Sequence, residues 1–231
     1  MADLIVALDV SSSSEAEAVV ARLGPSVSFY KIGLELFSAT GPEIVTRIKR
    51  HNKRIFLDLK LHDIPRTVAR AVTACAGLGV DLLTIHSSGG RAMIRAAADA
   101  AAAAGATGPR ILAVTCLTSL DQSDLTDLGI ERQVQEQVEA LGLLAVSSGA
   151  HGIVCSPQEV AAMRRCLGSK ALLVTPGVRP AGAAVGDQKR VATPAQAVAD
   201  GATHLVVGRP ILEAADPRAA AESLLAEMRG A

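Results

Sequence analysis

The stretch Asp58-Leu59-Lys60-Leu61-His62-Asp63-Ile64-Pro65 sets two carboxylates about an ammonium at the end of the apolar run Ile55-Phe56-Leu57. Alternate side chains of a strand share a face, so Asp58 and Lys60 point one way while Leu57 and Leu59 point the other. Charge on a strand that reads as core must be paired, because an isolated buried charge is costly. Coupled charge of this kind is frequent at reaction centres. His62 shares that alternation but precedes Pro65, which ends regular pairing, and reads as structural or peripheral. His86 reads as a satisfied polar residue rather than a ligand.

A second group lies towards the C-terminus: Thr175-Pro176-Gly177-Val178-Arg179, Gly186-Asp187-Gln188-Lys189-Arg190 and Val207-Gly208-Arg209. Glycine exposes backbone N–H groups to an anion, arginine offers a planar bidentate donor, and Gln188 adds an amide donor without charge. This combination suits a phosphate; a surface salt bridge is the alternative for Arg209. The Arg179 to Arg190 segment is long for a strand-to-helix loop and reads either as a lid over a ligand or as surface slack. Between the two groups, Leu117-Thr118-Ser119-Leu120 offers hydroxyls for the amide edge of a heterocycle, although such residues also serve as caps and turn formers.

Short apolar runs positioned to carry these residues recur about every 20 to 30 residues, separated by segments of helical composition, as in repeating βα units. The expected strands are Leu4 to Leu8, Val27 to Ile32, Arg54 to Leu59, Leu82 to Ile85, Ile111 to Thr115, Gly152 to Cys155, Leu172 to Thr175 and His204 to Val207. Helices are expected after the serine run Ser11 to Ser14, through the alanine-rich stretch after Arg91, and after Thr193-Pro194. Residues 1–231 therefore read as one α/β domain, a (β/α)8 barrel of the TIM type, with a doubly wound open sheet as the runner-up. The barrel is favoured because Asp9, Lys31, Asp58, Lys60, His86, Thr115, Thr118, Thr175, Arg179, Gly208 and Arg209 fall at or just after strand C-terminal ends, the face where barrel active sites assemble.

Lysine plus arginine equals aspartate plus glutamate at 23 each, so no global field draws nucleic acid or an anionic membrane. With no Trp, one Tyr and three Phe, a base-stacking platform is not expected either. Cys75, Cys116, Cys155 and Cys166 lack disulfide or metal-ligand spacing and are expected to be buried reduced thiols. No signal-type segment and no apolar run near the ~18 residues needed to span a bilayer is evident, so a cytoplasmic protein is expected.

Taken together, Tyr30-Lys31-Ile32-Gly33, Phe56 through Thr67, Leu117-Thr118-Ser119, Thr175 through Arg179 and Gly186 through Arg190 closely resemble the orotidine 5′-phosphate decarboxylase family over nearly the whole chain. The Asp-x-Lys-x-x-Asp core is shared with related sugar-phosphate barrels; the second-strand lysine and the Gly-Asp-Gln segment make the match specific. The resemblance implies a homodimer without cofactor or metal that converts orotidine 5′-monophosphate to uridine 5′-monophosphate and CO2, the last step of pyrimidine nucleotide synthesis. It assigns Lys31, Asp58 and Lys60 to the charged network of one subunit, completed by Asp63 from the other, with Ile64 and Thr67 also contributed across the dimer. It further assigns Asp9 and Lys31 to the ribose, Thr118 to the pyrimidine, and Gln188, Arg179 and Arg209 to the phosphate, with Pro176 and Gly208 among the substrate-binding positions. Two rivals are a magnesium-dependent barrel acting on a keto-sugar phosphate, disfavoured because Lys31 stands where an acidic ligand would be needed, and a non-catalytic nucleotide-sensing barrel, disfavoured by Lys60.

Overall fold

The computed structural model describes residues 2–179 and 192–230. Its strands are β1 (Asp3–Ala7), β2 (Phe29–Gly33), β3 (Arg54–Leu61), β4 (Leu82–His86), β5 (Arg110–Val114), β6 (Gly152–Val154), β7 (Leu172–Thr175) and β8 (His204–Val207). All pair in parallel and in sequence order, and β8 returns to β1, closing an eight-stranded barrel. The helices between and after them are α1 (Ser13–Leu23), α2 (Leu34–Thr40), α3 (Glu43–Lys49), α4 (Pro65–Ala76), α5 (Gly90–Ala103), α6 (Gln122–Asp127), α7 (Val134–Ser147), α8 (Val160–Leu167), α9 (Pro194–Ala199), α10 (Arg209–Leu212) and α11 (Pro217–Arg229). The expected TIM barrel is therefore the observed fold, and the open sheet is excluded.

Local signals explain several boundaries. Ser12 caps α1 through the Glu15 N–H, and Thr193 caps α9 through the Gln196 N–H, each supplying an acceptor to an otherwise orphaned donor. Pro65 opens α4 at a position whose N–H would have no helical partner. The alanine tract completes α5, with Ala97 and Ala101 buried, where small side chains permit close packing.

Strand alternation produces two apolar layers. Ile5, Ala7, Phe29, Phe56, Leu82, Leu112, Val174 and Val206 fill the barrel, while Leu4, Val6, Tyr30, Ile32, Ile55, Leu57 and Leu83 join the larger core beneath the helices. One inward position beyond Phe29, Phe56 and Leu82 come Lys31, Asp58 and Thr84, so the interior changes from apolar to polar towards the strand C-termini. Cys75, Cys116 and Cys155 are buried as expected, but Cys166 is exposed, correcting that expectation. It lies in the last turn of α8, on the solvent side with Arg165.

The opposite end is closed by a polar plug. Arg54 lies 4.1 Å over the Phe29 ring and binds Asp3 and Asp81, while buried His204 contacts Thr203 Oγ1 at 2.8 Å. Burial pushes the His204 pKa down to about 4, with Asp3 opposing and Arg110 and Arg54 reinforcing that shift. An unfolded chain protonates this histidine near ~6.5, so it binds more protons than the native state below that pH and stability is lost as pH falls towards the folded value. The contribution amounts to up to about 3 kcal/mol. Urea unfolding of wild type and His204→Gln at pH 7 and pH 5 checks this: the variant should lose less stability on acidification, whereas equal losses would remove His204 as a source of acid sensitivity.

Candidate active site

Four charged side chains from three adjacent strand ends alternate in sign. Lys31 Nζ lies 3.1 Å from Asp9 Oδ1 and 3.7 Å from Asp58 Oδ2, and Lys60 Nζ donates to Asp58 Oδ2 at 2.8 Å. The Asp58 side chain is 12% exposed, Lys31 13%, Lys60 28% and Asp9 51%, so the array runs from an enclosed centre to an open rim. Burial raises the Asp58 pKa, but the charges of Lys31 and Lys60 and hydrogen bonds from Lys60 and Thr84 outweigh it and hold the carboxyl below its ordinary value. Magnitudes agree with that balance: at an effective dielectric of ~20, a unit pair ~4 Å apart attracts by about 4 kcal/mol. Two ammoniums therefore offset a desolvation cost of several kcal/mol.

Asp58 and Lys60 meet as alternation predicts, but the backbone between them is not a regular strand. Leu57 pairs with Leu83 and Leu61 with Ile85, so four steps along β3 match two along β4, and Lys60 adopts φ 51°. A non-glycine residue in this left-handed region costs energy and persists where its surroundings hold it, as bulges beside functional sites often do. Thr84 supplies that hold: its Oγ1 accepts the Lys60 N–H at 2.9 Å and donates to Asp58 Oδ1 at 2.9 Å. Sequence reasoning missed Thr84, although its alternation with Leu82 in Leu82-Leu83-Thr84-Ile85-His86 placed a hydroxyl on the barrel face.

The array opens into a cavity of about 490 Å3, within the range of small-molecule sites. Asp9, Lys31, Asp58, Lys60, Thr118, Pro176, Arg179, Gly208 and Arg209, all singled out in the sequence, line it. A side chain at Gly208 would place its Cβ 3.0 Å from Asp9 Oδ2, so glycine keeps this wall clear. Phe56, Val114, Val154 and Val206 add apolar wall, and Cys116 and Glu213 also line it without having been anticipated. Glu213 follows Arg209 by one helical turn, which was its available signal.

Arg179 and Arg209 reach this cavity from the ends of β7 and β8, across the barrel from β3 and β4. Burial lowers the Arg179 pKa and the Arg209 charge on the same cavity lowers it further. Such a pair favours an anion. Arg179 is steadied by a bond from Nη1 to Val178 O at 2.9 Å and by the Val178–Ala192 bridge. Gln188 and the rest of the expected 180–190 lid lie outside the described residues.

Asp63, Ile64 and Thr67 do not line the cavity of this chain. All three are exposed, Ile64 to 66%, and Asp63 accepts the Ile64 N–H at 2.6 Å. The His62 and His86 rings pair outside the cavity, with centroids 5.5 Å apart. Burial lowers the His86 pKa, with His62 and Lys60 adding to the shift and Asp58 opposing it. Among the described residues no cluster of three or more His, Cys, Asp or Glu could hold a metal ion, and no helix is long and apolar enough to cross a membrane.

Fold and site together define a (β/α)8 barrel with a charged cleft built for a small anionic ligand. Residues 2–224 match the model of the orotidine 5′-phosphate decarboxylase / HUMPS family, and the chain belongs to that family. It is 52% identical over 225 residues to orotidine 5′-phosphate decarboxylase of Rhodopseudomonas palustris strain BisB5, covering 97% of this chain and 94% of the relative. The corresponding protein of Moorella thermoacetica is 51% identical over 230 residues, covering 97% and 91%. The crystal structure of orotidine 5′-phosphate decarboxylase from Lactobacillus acidophilus superposes with a TM-score of 0.89 at 38% identity, covering 99% of each chain.

Proposed function

We propose that the cleft binds orotidine 5′-monophosphate with its phosphate at Arg179 and Arg209 and its carboxylate-bearing ring at Asp58 and Lys60. The reaction is the family's decarboxylation to uridine 5′-monophosphate, a carboxy-lyase step of pyrimidine nucleotide synthesis. The observation that carries the reading is the division of one cavity between an alternating Lys–Asp array and a facing arginine pair. A nucleoside monophosphate with an acidic ring presents its charges at the two corresponding ends.

Loss of CO2 leaves an electron pair on the ring carbon, and without a resident electron sink the site must supply fixed positive charge there. Lys60, already oriented by Asp58, stabilises that charge and delivers the proton that completes the product. Asp58 stands beside the leaving carboxylate, Asp9 and Lys31 hold ribose hydroxyls, and Thr118 meets the pyrimidine edge, with Pro176 and Gly208 shaping the wall and Gln188 joining the phosphate donors. Phosphate binding remote from the reacting bond supplies energy that organises the charged end. The Lys31 ammonium between Asp9 and Asp58 supports chemistry without a metal, because it occupies the place that a divalent ion would need between those carboxylates.

The second element of the proposal is a cytoplasmic homodimer with shared sites. Leu34 directly after β2 and Ile64 at the N-cap of α4 are large apolar side chains left exposed, as are Asp63 and Thr67 beside Ile64 in sequence. Packing this segment against a second copy would carry Asp63, Ile64 and Thr67 to the neighbouring cleft.

Arg209→Ala tests the placement of the phosphate. Affinity for uridine 5′-monophosphate should fall by about 2–5 kcal/mol while affinity for uridine hardly changes, because only the former carries the group that the guanidinium holds. Equal losses measured by calorimetry for both ligands would assign Arg209 a structural role and move the phosphate elsewhere.

A further inference from the structure

Thr84 stands on the inward face of β4, fully buried, yet it does not give its hydroxyl proton to a neighbouring strand carbonyl as Thr115 does to Val154 O. Its oxygen accepts the Lys60 N–H and its proton goes to Asp58 Oδ1, both at 2.9 Å. A threonine hydroxyl carries one proton, so with an N–H donor on the oxygen, that proton is committed to the carboxylate. The other carboxylate oxygen, Oδ2, accepts from Lys60 Nζ at 2.8 Å, with Lys31 Nζ 3.7 Å away. One neutral side chain therefore fixes the rotation of Asp58 and the bulged backbone that aims Lys60.

We infer that Thr84 is a positioning residue for decarboxylation, locking Asp58 and the backbone of Lys60 into one hydrogen-bonded unit. The inference rests on the function proposed above. Removing the hydroxyl frees Asp58 Oδ1 and leaves the Lys60 N–H without this acceptor, so the ammonium loses its aim at the reacting carbon. Substrate contacts are untouched, since Thr84 does not line the cavity. The effect belongs to the chemical step, where small displacements of a catalytic group are costly.

Thr84→Val keeps the branched shape without the hydroxyl, and Thr84→Ser keeps the hydroxyl without the methyl. With orotidine 5′-monophosphate as substrate, the valine variant should lose kcat on the order of 10- to 100-fold while its affinity for uridine 5′-monophosphate stays within about threefold of wild type. The serine variant should return to within about fivefold of wild-type kcat. If the valine protein does not fold, Thr84→Ala makes the same comparison. A variant without the hydroxyl but with wild-type kcat, a loss that serine does not recover, or a parallel fall in product affinity would overturn the assignment. Wild-type protein that forms no uridine 5′-monophosphate would instead overturn the functional reading and this role with it.

Discussion

Lys60→Ala protein is expected to lose decarboxylation by on the order of 10⁴-fold or more while retaining affinity for uridine 5′-monophosphate within about tenfold. The asymmetry follows from geometry. In the proposed complex Lys60 meets the reacting end of the cleft, whereas phosphate and ribose are held by Arg179, Arg209, Asp9 and Lys31. Asp58 would not be stranded, because it keeps Thr84 at 2.9 Å and Lys31 at 3.7 Å, so the variant should fold. Steady-state turnover and calorimetric binding on the same preparation decide the matter: near-normal turnover removes Lys60 from the chemistry, and product affinity lost in step with turnover makes it a general binding residue.

Mixing Lys60→Ala with Asp63→Ala protein should restore activity that neither has alone. If Asp63 acts in the neighbouring cleft, a mixed dimer contains one site missing both groups and one site with both intact. Random exchange at equal concentrations makes about half the dimers mixed, so activity should approach about one quarter of wild type. If Asp63 acts within its own chain, every site carries one defect and mixing recovers nothing. Failure to recover activity in a sample with demonstrated heterodimers would reject the shared site. The exposure of Asp63, Ile64 and Thr67 makes this test informative, since these motif residues do not line their own chain's cavity.

The strands were legible because β-branched and apolar runs bounded by polar turns report burial directly, and all eight expected runs became barrel strands. Their closure into a barrel was foreshadowed by polar residues gathering at one set of strand ends, which a list of elements would not reveal. The Lys60 conformation was less legible. Alternation assumes a uniform backbone, and the bulge that gives Lys60 its φ of 51° depends on β4, distant in sequence. Thr84 was missed for the same reason: a lone hydroxyl in an apolar strand gains meaning only when β3 lies beside it. Glu213 was hidden by the brevity of α10, and Cys166 by the weak preference that separates a buried from an exposed thiol on a helix.

The most direct measurement is turnover of orotidine 5′-monophosphate by the purified wild-type protein after exhaustive chelation of divalent ions. Loss of substrate absorbance and stoichiometric appearance of uridine 5′-monophosphate and CO2, at the same rate with and without chelator, are the predicted result. Absence of product would contradict the proposed reaction, and activity abolished by chelation and restored by magnesium would contradict the Lys31–Asp58–Lys60 array as a metal-free centre.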